Sequence, residues 1–480
     1  MDIRLQGAMI VLVPLTLCTA LSSGCEEQAY SPAEAVPAAG AVAITANPAV
    51  GTSGHPLMGL PAYPAVQYPP ENLDDDAKFQ LGKLLFWEEQ LSGNNAIACG
   101  TCHMGRAGGS DPRSANEEAR LLGDDGILDA TPGIDSDDRR GALGIVACGP
   151  DGSPKGARVQ VTGRKAPSAF DAMFSAELFW DGRAGAAFVD PESGSIQVAA
   201  GATNAEGLTI GGALESQAVG PLMSEVEMAC ESPTWRSLSD RLGAAQPLSL
   251  ARNIPADSQA FIAQHGASYP AMFAEAFGAD MKPSADEPDG VITPTRIAFA
   301  IATYERRLTS DQTPWDRWNA GEAGALSAEE VRGFEVFMGT GNCQLCHAPP
   351  LFTDHKLHYL GFHPPDRDGG RGALPDQPAT ELGKMKTPTL RNVGLREPGG
   401  LLHQGDGPGH DLLTVLELYR IGGLADDPEI ARRIDPLVMP LNVTAEDMTA
   451  LAAFLRRGLT DPRAENEQAP FDRPTLSHEP

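Results

Sequence analysis

The sequence predicts a mostly α-helical fold, arranged as two similar domains with long loops. Apolar residues recur at three- and four-residue steps in five segments, which is the period of one helix face, whereas alternating, strand-like segments are scarce. The pattern Cys-x-x-Cys-His occurs twice, far apart in the 480-residue chain, and each copy follows one of the helical segments. A chain of this length has room for two or three domains, so we expect one domain for each copy. The helical segments are 74–87, 293–307, 327–339, 411–421 and 444–457.

The repeated motif is typical of covalent haem attachment. Two thiols at this spacing can bond to the two vinyl groups of one porphyrin, and the adjacent imidazole can bind its iron. A structural zinc site is the alternative, but it needs four thiolate or imidazole ligands in one place. The sequence therefore predicts two covalently bound haem c groups in two cytochrome c-like haem domains, with His103 and His347 as iron ligands. The attachment residues are Cys99, Cys102 and His103, and then Cys343, Cys346 and His347.

The chain is strongly acidic. Asp and Glu outnumber Lys and Arg by 64 to 36, which gives a formal net charge of −28. Such a charge argues against nucleic acid as a partner and favours a cationic or neutral one. An acidic surface that keeps a secreted protein soluble explains the composition equally well.

The N-terminus carries export signals. Arg4 precedes an apolar run over residues 8–21, which is short for a membrane span and typical of a signal peptide, so we assign residues 1–24 to a signal peptide and the protein to the periplasm. The run ends at Gly24-Cys25, which resembles a lipoprotein processing site, although Ser22 stands where that signal usually has Leu. Cys25 is therefore a candidate lipid anchor, and simple cleavage and release is the alternative. Residues 25–70 are rich in Ala and Pro, as a tether to a membrane would be.

Cysteine usage points to a disulfide. Of eight cysteines, Cys18 lies in the signal peptide, Cys25 is the candidate anchor, four belong to the haem motifs, and Cys148 and Cys230 remain. Because export makes disulfide formation possible, we predict a bond between Cys148 and Cys230. Two ordinary buried thiols are the alternative.

Residues 113–163 have the composition of a loop. They are rich in Gly and Asp and nearly free of aromatic residues, so we predict a long surface loop. The acidic run at 123–138 suggests a calcium loop, but its acids lack the spacing of an EF-hand. We therefore favour a solvated loop.

Five further segments carry a resemblance to a known family. They are LGKLLFWEEQLSG from Leu81, LFWDGRA at 178–184, QAVGPLMSEVEM at 217–228, TPTLRN at 387–392 and LYRIGG at 418–423. With the haem motifs, they make the chain similar, from about Leu81 to Pro462, to bacterial di-haem cytochrome c peroxidases of the MauG type. The resemblance implies an oxidoreductase in which hydrogen peroxide meets the N-terminal haem and electrons enter at the C-terminal haem. It implies an N-terminal peroxidatic haem domain at 71–300, a C-terminal electron-transfer haem domain at 301–463 and a tail at 464–480.

The resemblance also implies roles around the first haem. Glu227 matches the family's distal acid, and Gln217, ten residues earlier, matches the amide that orients peroxide or water; an exposed loop acid and a capping amide are the alternatives. No histidine lies between His103 and His265, so the segment that supplies a distal histidine in ordinary peroxidases of the family cannot do so here. We expect a five-coordinate first iron that is active without prior reduction, with Met173 as the rival ligand.

Two aromatic residues are given redox roles by the same resemblance. Trp180 matches the tryptophan between the two haems, where its ring shortens the path for electrons; a core tryptophan is the alternative. Tyr419 matches the tyrosine that is the outer ligand of the second haem in MauG, where ordinary peroxidases have a methionine. A phenolate there would stabilise high iron oxidation states, and a buried core tyrosine is the alternative. The rival ligands are Met385, Met439, His403 and His410.

The chain departs from the family pattern in three places. Residues 185–211 are an insertion before Gln217 that we expect to cover the pocket or the partner surface. The segment 396–409 is altered and longer than usual, and Lys165 replaces an asparagine that helps to bind calcium between the domains. Calcium is therefore doubtful, and we hypothesise that the Lys165 ammonium takes its place.

Three functions follow from these assignments. The first is a di-haem peroxidase that reduces hydrogen peroxide with electrons from a small periplasmic cytochrome c or similar donor protein. The second, which Tyr419 favours, is peroxide-dependent oxidation of Trp or Tyr side chains on a partner protein. The third is a di-haem electron carrier without catalysis, which predicts two six-coordinate haems.

Overall fold

The computed structural model describes residues 60–121, 139–201, 208, 210–278, 291–365, 367–404, 411–423 and 428–479. The predicted signal peptide, Cys25, most of the tether, the acidic run at 123–138 and His410 lie outside the described residues. The described chain is largely helical with little sheet, which confirms a mostly α fold. None of its described helices is long and apolar enough to cross a membrane.

All five segments with a helical period form helices, and polar caps explain where they begin. Asp75 accepts a hydrogen bond from the backbone N–H of Lys78 at the start of the first helix, as cap residues do. The helices are α1 Asp76–Phe86, α2 Cys99–Cys102, α3 Ala213–Ala218, α4 Trp235–Ala244, α5 Ala256–Gln264, α6 Tyr269–Phe277, α7 Pro294–Arg306, α8 Pro314–Asn319, α9 Ala328–Met338, α10 Val393–Arg396, α11 Leu412–Ile421, α12 Pro428–Ala431, α13 Ala445–Ala453 and α14 Pro462–Glu465.

The strands are short and pair only with one neighbour each. They form four antiparallel pairs in the described residues: β1 Arg120–Leu121 with β2 Arg139–Arg140, β3 Leu143–Cys148 with β4 Pro154–Val161, β5 Phe188–Val189 with β6 Ile196–Val198, and β7 Leu357–His358 with β8 Met385–Lys386. The β3–β4 hairpin corrects the prediction of a continuous surface loop over 113–163. Leu143, Ile145 and Cys148 are buried, so an apolar face decides the structure there despite the Gly- and Asp-rich surroundings.

The two largest hydrophobic cores of the described residues each lie beside one Cys-x-x-Cys-His motif. The first is built around α1 and α7, which approach closely because Gly82 has no side chain: a Cβ there would lie 1.9 Å from the carbonyl oxygen of Ala300. The second is built around α9 and α13, where a Cβ on Gly333 would lie 2.0 Å from the carbonyl oxygen of Ala450. Each core therefore contains a tightly crossed pair of helices. That each core forms a cytochrome c-like haem domain stays a prediction.

Packing in the first core extends beyond the N-terminal domain predicted at 71–300. Helix α7 runs through the predicted boundary at 300/301 and packs as one unit in the first core. Residues 464–479 also return to that core, where Phe471 and Leu476 are buried. Lys83 of α1 makes a 2.8 Å ion pair with Asp472. The last residues of the chain therefore support the N-terminal half.

Candidate active site

The first Cys-x-x-Cys-His motif presents free thiols and an oriented imidazole. Cys99 and Cys102 are unpaired thiols on the short helix α2, and His103 follows at its end. The Nδ1 atom of His103 lies 2.9 Å from the carbonyl oxygen of Gly109. Because a carbonyl can only accept, Nδ1 donates, and Nε2 is left with its lone pair for a metal. Burial lowers the pKa of His103, which favours the neutral imidazole that iron binds.

The second motif repeats this arrangement in the other half of the chain. Cys343 and Cys346 are free thiols, and Nδ1 of His347 lies 2.9 Å from the carbonyl oxygen of Phe352. Burial again lowers the pKa of the imidazole. Both histidines are thus held in the tautomer that leaves Nε2 for an axial metal bond.

Each motif borders a cavity, and the lining of each cavity suits haem. The first, of about 500 Å³, is lined by Cys99, Cys102 and His103. The second, of about 200 Å³, is lined by Cys343, Cys346 and His347, and both are mostly apolar.

A buried histidine and a buried lysine support haem binding. Both ring nitrogens of His355, which lines the first cavity, are buried without a hydrogen bond among the described residues. Burial lowers the pKa of His355 to about 4, so the ring is neutral and has an N–H to donate. Lys386 lines both cavities, and burial lowers its pKa to about 8. Haem carries two carboxylates, for which the Lys386 ammonium would be a counter-charge and the His355 N–H a hydrogen-bond donor.

The predicted distal pair is brought together in the first cavity. Glu227 and Gln217 both line it with His103. Gln217 lies on α3, and Glu227 lies in a loop whose course is fixed by β3. Burial raises the pKa of Glu227 above its ordinary value, which makes the carboxylate a better proton acceptor.

Strand β3 positions Glu227 through its backbone. The N–H of Ile145 donates a 3.2 Å hydrogen bond to the carbonyl oxygen of Glu227. A Cβ on Gly144 would lie 1.8 Å from the carbonyl oxygen of Val226, so only glycine permits this approach. The predicted disulfide between Cys148 and Cys230 is confirmed, and it links the end of β3 to the residues that follow Glu227. The hairpin and the disulfide therefore form a support for the acid.

The other potential iron ligands near the first cavity differ from those expected. Met173, the rival ligand, is not among the residues that line the cavity, whereas Met228 and His355 are. His355 could not be predicted as a first-cavity residue from the sequence, because it follows the second motif and lies far along the chain from His103. Only the tertiary fold brings it to the first cavity.

The cavities meet at Trp180. Its side chain lines both of them, together with Lys165 and Lys386. Trp180 thus borders both haem-attachment cavities, and its role as a path for electrons stays a prediction.

Lys165 is buried at the same junction. Its ammonium donates hydrogen bonds to the carbonyl oxygens of Arg396, at 3.3 Å, and Gly400. It is 3 % exposed, and burial lowers its pKa to about 7. Two backbone carbonyls around an enclosed amine are consistent with the hypothesis that the lysine fills a cation site.

Tyr419 lines the second cavity from α11. Its helix begins after Asp411, whose side chain accepts a hydrogen bond from the backbone N–H of Thr414, and ends at Gly422, which adopts a positive φ of 82°. The ring packs edge-on against Phe362 at 4.9 Å, and burial raises the pKa of the hydroxyl. The rival ligands Met385, Met439 and His403 line the same cavity.

The insertion at 185–211 lies beside α3 rather than over the site. In its described part, the β5–β6 hairpin packs Phe188 and Val198 against Ala298 of α7. None of its described residues lines either cavity. The insertion therefore backs the helix that carries Gln217, and the expectation that it covers the pocket is not met by its described residues.

A helical protein with two cavities, each bordered by a Cys-x-x-Cys-His motif with an oriented histidine, is a di-haem c-type protein. A sequence profile of the family described as di-haem cytochrome c peroxidase matches residues 76–324. The chain belongs to this family, and it is an oxidoreductase with two covalently bound haem c groups.

Named relatives include both kinds of enzyme in the family. The methylamine utilization protein MauG of Methylophilus methylotrophus is 27% identical over 346 residues, or 72% of each chain. The cytochrome c peroxidase Ccp of Escherichia coli is 26% identical over 371 residues, which cover 74% of this chain and 57% of that protein.

Solved structures agree on the fold. A MauG-like protein associated with microbial copper homeostasis is 23% identical with a TM-score of 0.55, covering 86% of this chain and 97% of that one. The di-haem peroxidase BthA from Burkholderia thailandensis is 19% identical with a TM-score of 0.53, covering 85% and 92%. The architecture is therefore that of the MauG-like di-haem peroxidases.

Proposed function

We propose that this protein reduces hydrogen peroxide at the first haem with electrons that enter at the second. The observation that carries the proposal is that Glu227 and Gln217 line the same cavity as His103. A peroxide site needs an acid–base group and an orienting group beside the metal-binding imidazole.

The haem, when bound, supplies an iron that exchanges electrons with peroxide. Glu227, with its raised pKa, takes a proton from one peroxide oxygen and returns it to the leaving oxygen. Gln217 orients the peroxide through its amide. The apolar lining excludes water, which strengthens both interactions.

Trp180 is proposed as the electron relay, because it lines both cavities. Tyr419 is proposed as the outer ligand of the second iron, supported by its inward position on α11. A phenolate ligand favours oxidised iron, in contrast to a methionine sulfur.

Tyr419 also favours a second function. An iron held in an oxidised state suits the removal of electrons from Trp or Tyr side chains of a partner protein, which is the second function predicted from the sequence. The two functions share the peroxide site and differ in the electron source, which is either a small donor protein or the protein substrate itself.

We place this chemistry in the periplasm. The support is the N-terminal sequence with its apolar run and Gly24-Cys25. Lipidation of Cys25 would hold the enzyme at a membrane, with residues 25–70 as the tether. Mass spectrometry of the mature N-terminus tests this, because a free N-terminal residue other than modified Cys25 would exclude the anchor.

Stopped-flow optical spectroscopy of the oxidised holoprotein with hydrogen peroxide tests the function. We expect a rapid spectral change without prior reduction and a return to the starting spectrum when a reduced small cytochrome c is added. A rapid change that the cytochrome does not reverse would favour the protein-oxidising function. Absence of any reaction with peroxide would overturn both.

A further inference from the structure

A second acid, Glu305, lies in the first cavity. It stands in the last turn of α7, is 4 % exposed and lines the cavity with Glu227 and Gln217. Its Oε2 atom is buried without a hydrogen-bond partner among the described residues. Buried carboxyl groups are almost always hydrogen-bonded in native proteins, so this one calls for a role.

The cation next to Glu305 in the chain, Arg306, is paired with another acid. Arg306 donates hydrogen bonds of 2.6 and 2.9 Å to the two carboxyl oxygens of Glu215. The charge of Arg306 is therefore balanced by Glu215 rather than by Glu305. Burial raises the pKa of Glu305 to about 8, with the Glu215 charge adding to the effect. Glu305 is thus a protonated carboxyl at neutral pH, enclosed in the peroxide cavity.

Peroxide reduction has a demand that one acid does not meet. The O–O bond breaks, two electrons arrive from the donor protein through the haems, and two protons join the two oxygens to give two water molecules. Glu227 holds a single exchangeable proton, which it moves between the two peroxide oxygens. One of the two added protons needs a second holder inside the cavity, and the other enters from solvent, which also reprotonates that holder after each turnover.

We propose that Glu305 stores a proton in the first cavity and delivers it to the peroxide site as the electrons arrive. This role rests on the proposed peroxidase function and adds a residue to it. The geometry supports the role, because Glu305 shares a cavity with Glu227 and makes no competing hydrogen bond.

The groups near Glu305 lie on its own helix, beside it and on the cavity wall. Tyr304, on the same helix, accepts a 3.2 Å hydrogen bond from the indole N–H of Trp87. Cys99 is a thioether once it is bonded to haem, and Glu215 forms a 2.6 Å ion pair with Arg306. On the cavity wall, Glu227, Lys165 and Lys386 also titrate, and burial lowers the pKa of Lys165 to about 7 and that of Lys386 to about 8. A change of activity near pH 8 is therefore assigned to Glu305 only if Glu305→Gln removes it. Since Glu305 loses its proton as pH rises through about 8, the stored proton is present below that pH and absent above it.

The test uses holoprotein with Glu305→Gln, the conservative Glu305→Asp, and Glu335→Gln as a control on the exposed face of α9. Turnover is measured with hydrogen peroxide and a reduced small cytochrome c between pH 6 and 10. We expect Glu305→Gln to keep its haem content and resting spectrum, to lose turnover by about 100-fold, and to lose the decline of activity near pH 8. Glu305→Asp should restore part of the rate, and Glu335→Gln should match the wild type.

Infrared difference spectroscopy gives a second readout that does not depend on turnover. The wild type should show a protonated carboxyl band that disappears as pH rises through about 8 and that is missing in Glu305→Gln. Identical spectra for these two proteins would overturn the proposal, as would unchanged turnover with an unchanged pH profile. If the wild type did not turn over peroxide but kept the band, the peroxidase function would fail while the proton store would stand.

Discussion

The indole N–H of Trp180 donates a 2.8 Å hydrogen bond to the carbonyl oxygen of Lys165. The carbonyl oxygen of Trp180 accepts a 2.7 Å hydrogen bond from the backbone N–H of Lys386. All three residues line both cavities. The ring between the haem sites is therefore fixed at its polar edge and at its backbone, as a relay with a constant electron path would be.

Replacing that ring should slow electron exchange between the haems. We expect Trp180→Leu to keep both haems and their spectra but to transfer electrons between them more slowly, because the polarisable ring is lost. Flash reduction of the holoprotein, followed optically, measures the rate. Trp235→Phe is the control, since Trp235 lies in the first core on α4 and lines neither cavity. Equal rates of electron transfer in Trp180→Leu and the wild type would contradict the assignment of Trp180 as the relay.

Removing the carboxyl of Glu227 should abolish most peroxide turnover. Loss of an acid–base group costs roughly 100- to 10,000-fold in rate, so Glu227→Gln should react that much more slowly with unchanged haem content. In the wild type the raised pKa of Glu227 predicts that activity falls as pH drops through a value above the ordinary carboxyl range, because the group must be ionised to take a proton. The exposed neighbour supplies the control, Glu225→Gln. A Glu227→Gln enzyme with wild-type turnover would contradict the assignment.

The support of Glu227 by β3 should also be measurable. The disulfide between Cys148 and Cys230 spans 82 residues, and replacing both cysteines by serine should lower the free energy of unfolding by about 2–4 kcal/mol. It should also lower peroxide turnover, because the residues after Glu227 lose their link to the hairpin. Denaturant unfolding and steady-state kinetics check the two effects. Unchanged kinetics in a destabilised variant would show that the bond serves stability alone.

The identity of the second iron's outer ligand can be read from spectra. With Tyr419 as ligand, the oxidised protein should lack a methionine-to-iron band in the near-red, and Tyr419→Phe should convert the second haem from low to high spin. Electron paramagnetic resonance and optical spectra follow the change. Tyr68→Phe, at a tyrosine that lines neither cavity, should leave the spectra as they are. A methionine band in the wild type would point to Met385 or Met439 instead.

The amine of Lys165 predicts a protein that is free of calcium. Metal analysis of the purified holoprotein should find none, because the ammonium bonds to the carbonyl oxygens of Arg396 and Gly400. Lys165→Asn should create a calcium site, so that added calcium raises the melting temperature of this variant and not of the wild type. Lys155→Asn, at an exposed lysine, is the matched control. Stoichiometric calcium in the wild type would refute the hypothesis that the Lys165 ammonium takes the place of calcium.

The sequence by itself determined the haem chemistry and most of the helices. A Cys-x-x-Cys-His motif carries its ligands within five residues, so local spacing is enough to predict it, and the same holds for the apolar period that predicts α11. The disulfide between Cys148 and Cys230 followed from the count of cysteines. These features depend on groups that are near in sequence or few in number.

Only the tertiary structure decided which distant groups share a cavity. The β3–β4 hairpin was missed because its apolar residues are few and lie among glycines, and that hairpin sets the position of Glu227. His355, Lys386 and Glu305 reach the first cavity from three separate segments, and the unpartnered atoms of His355 and Glu305 become evident only once burial is known. Burial and proximity are products of the whole fold, since they depend on long-range packing that no local pattern in the chain records.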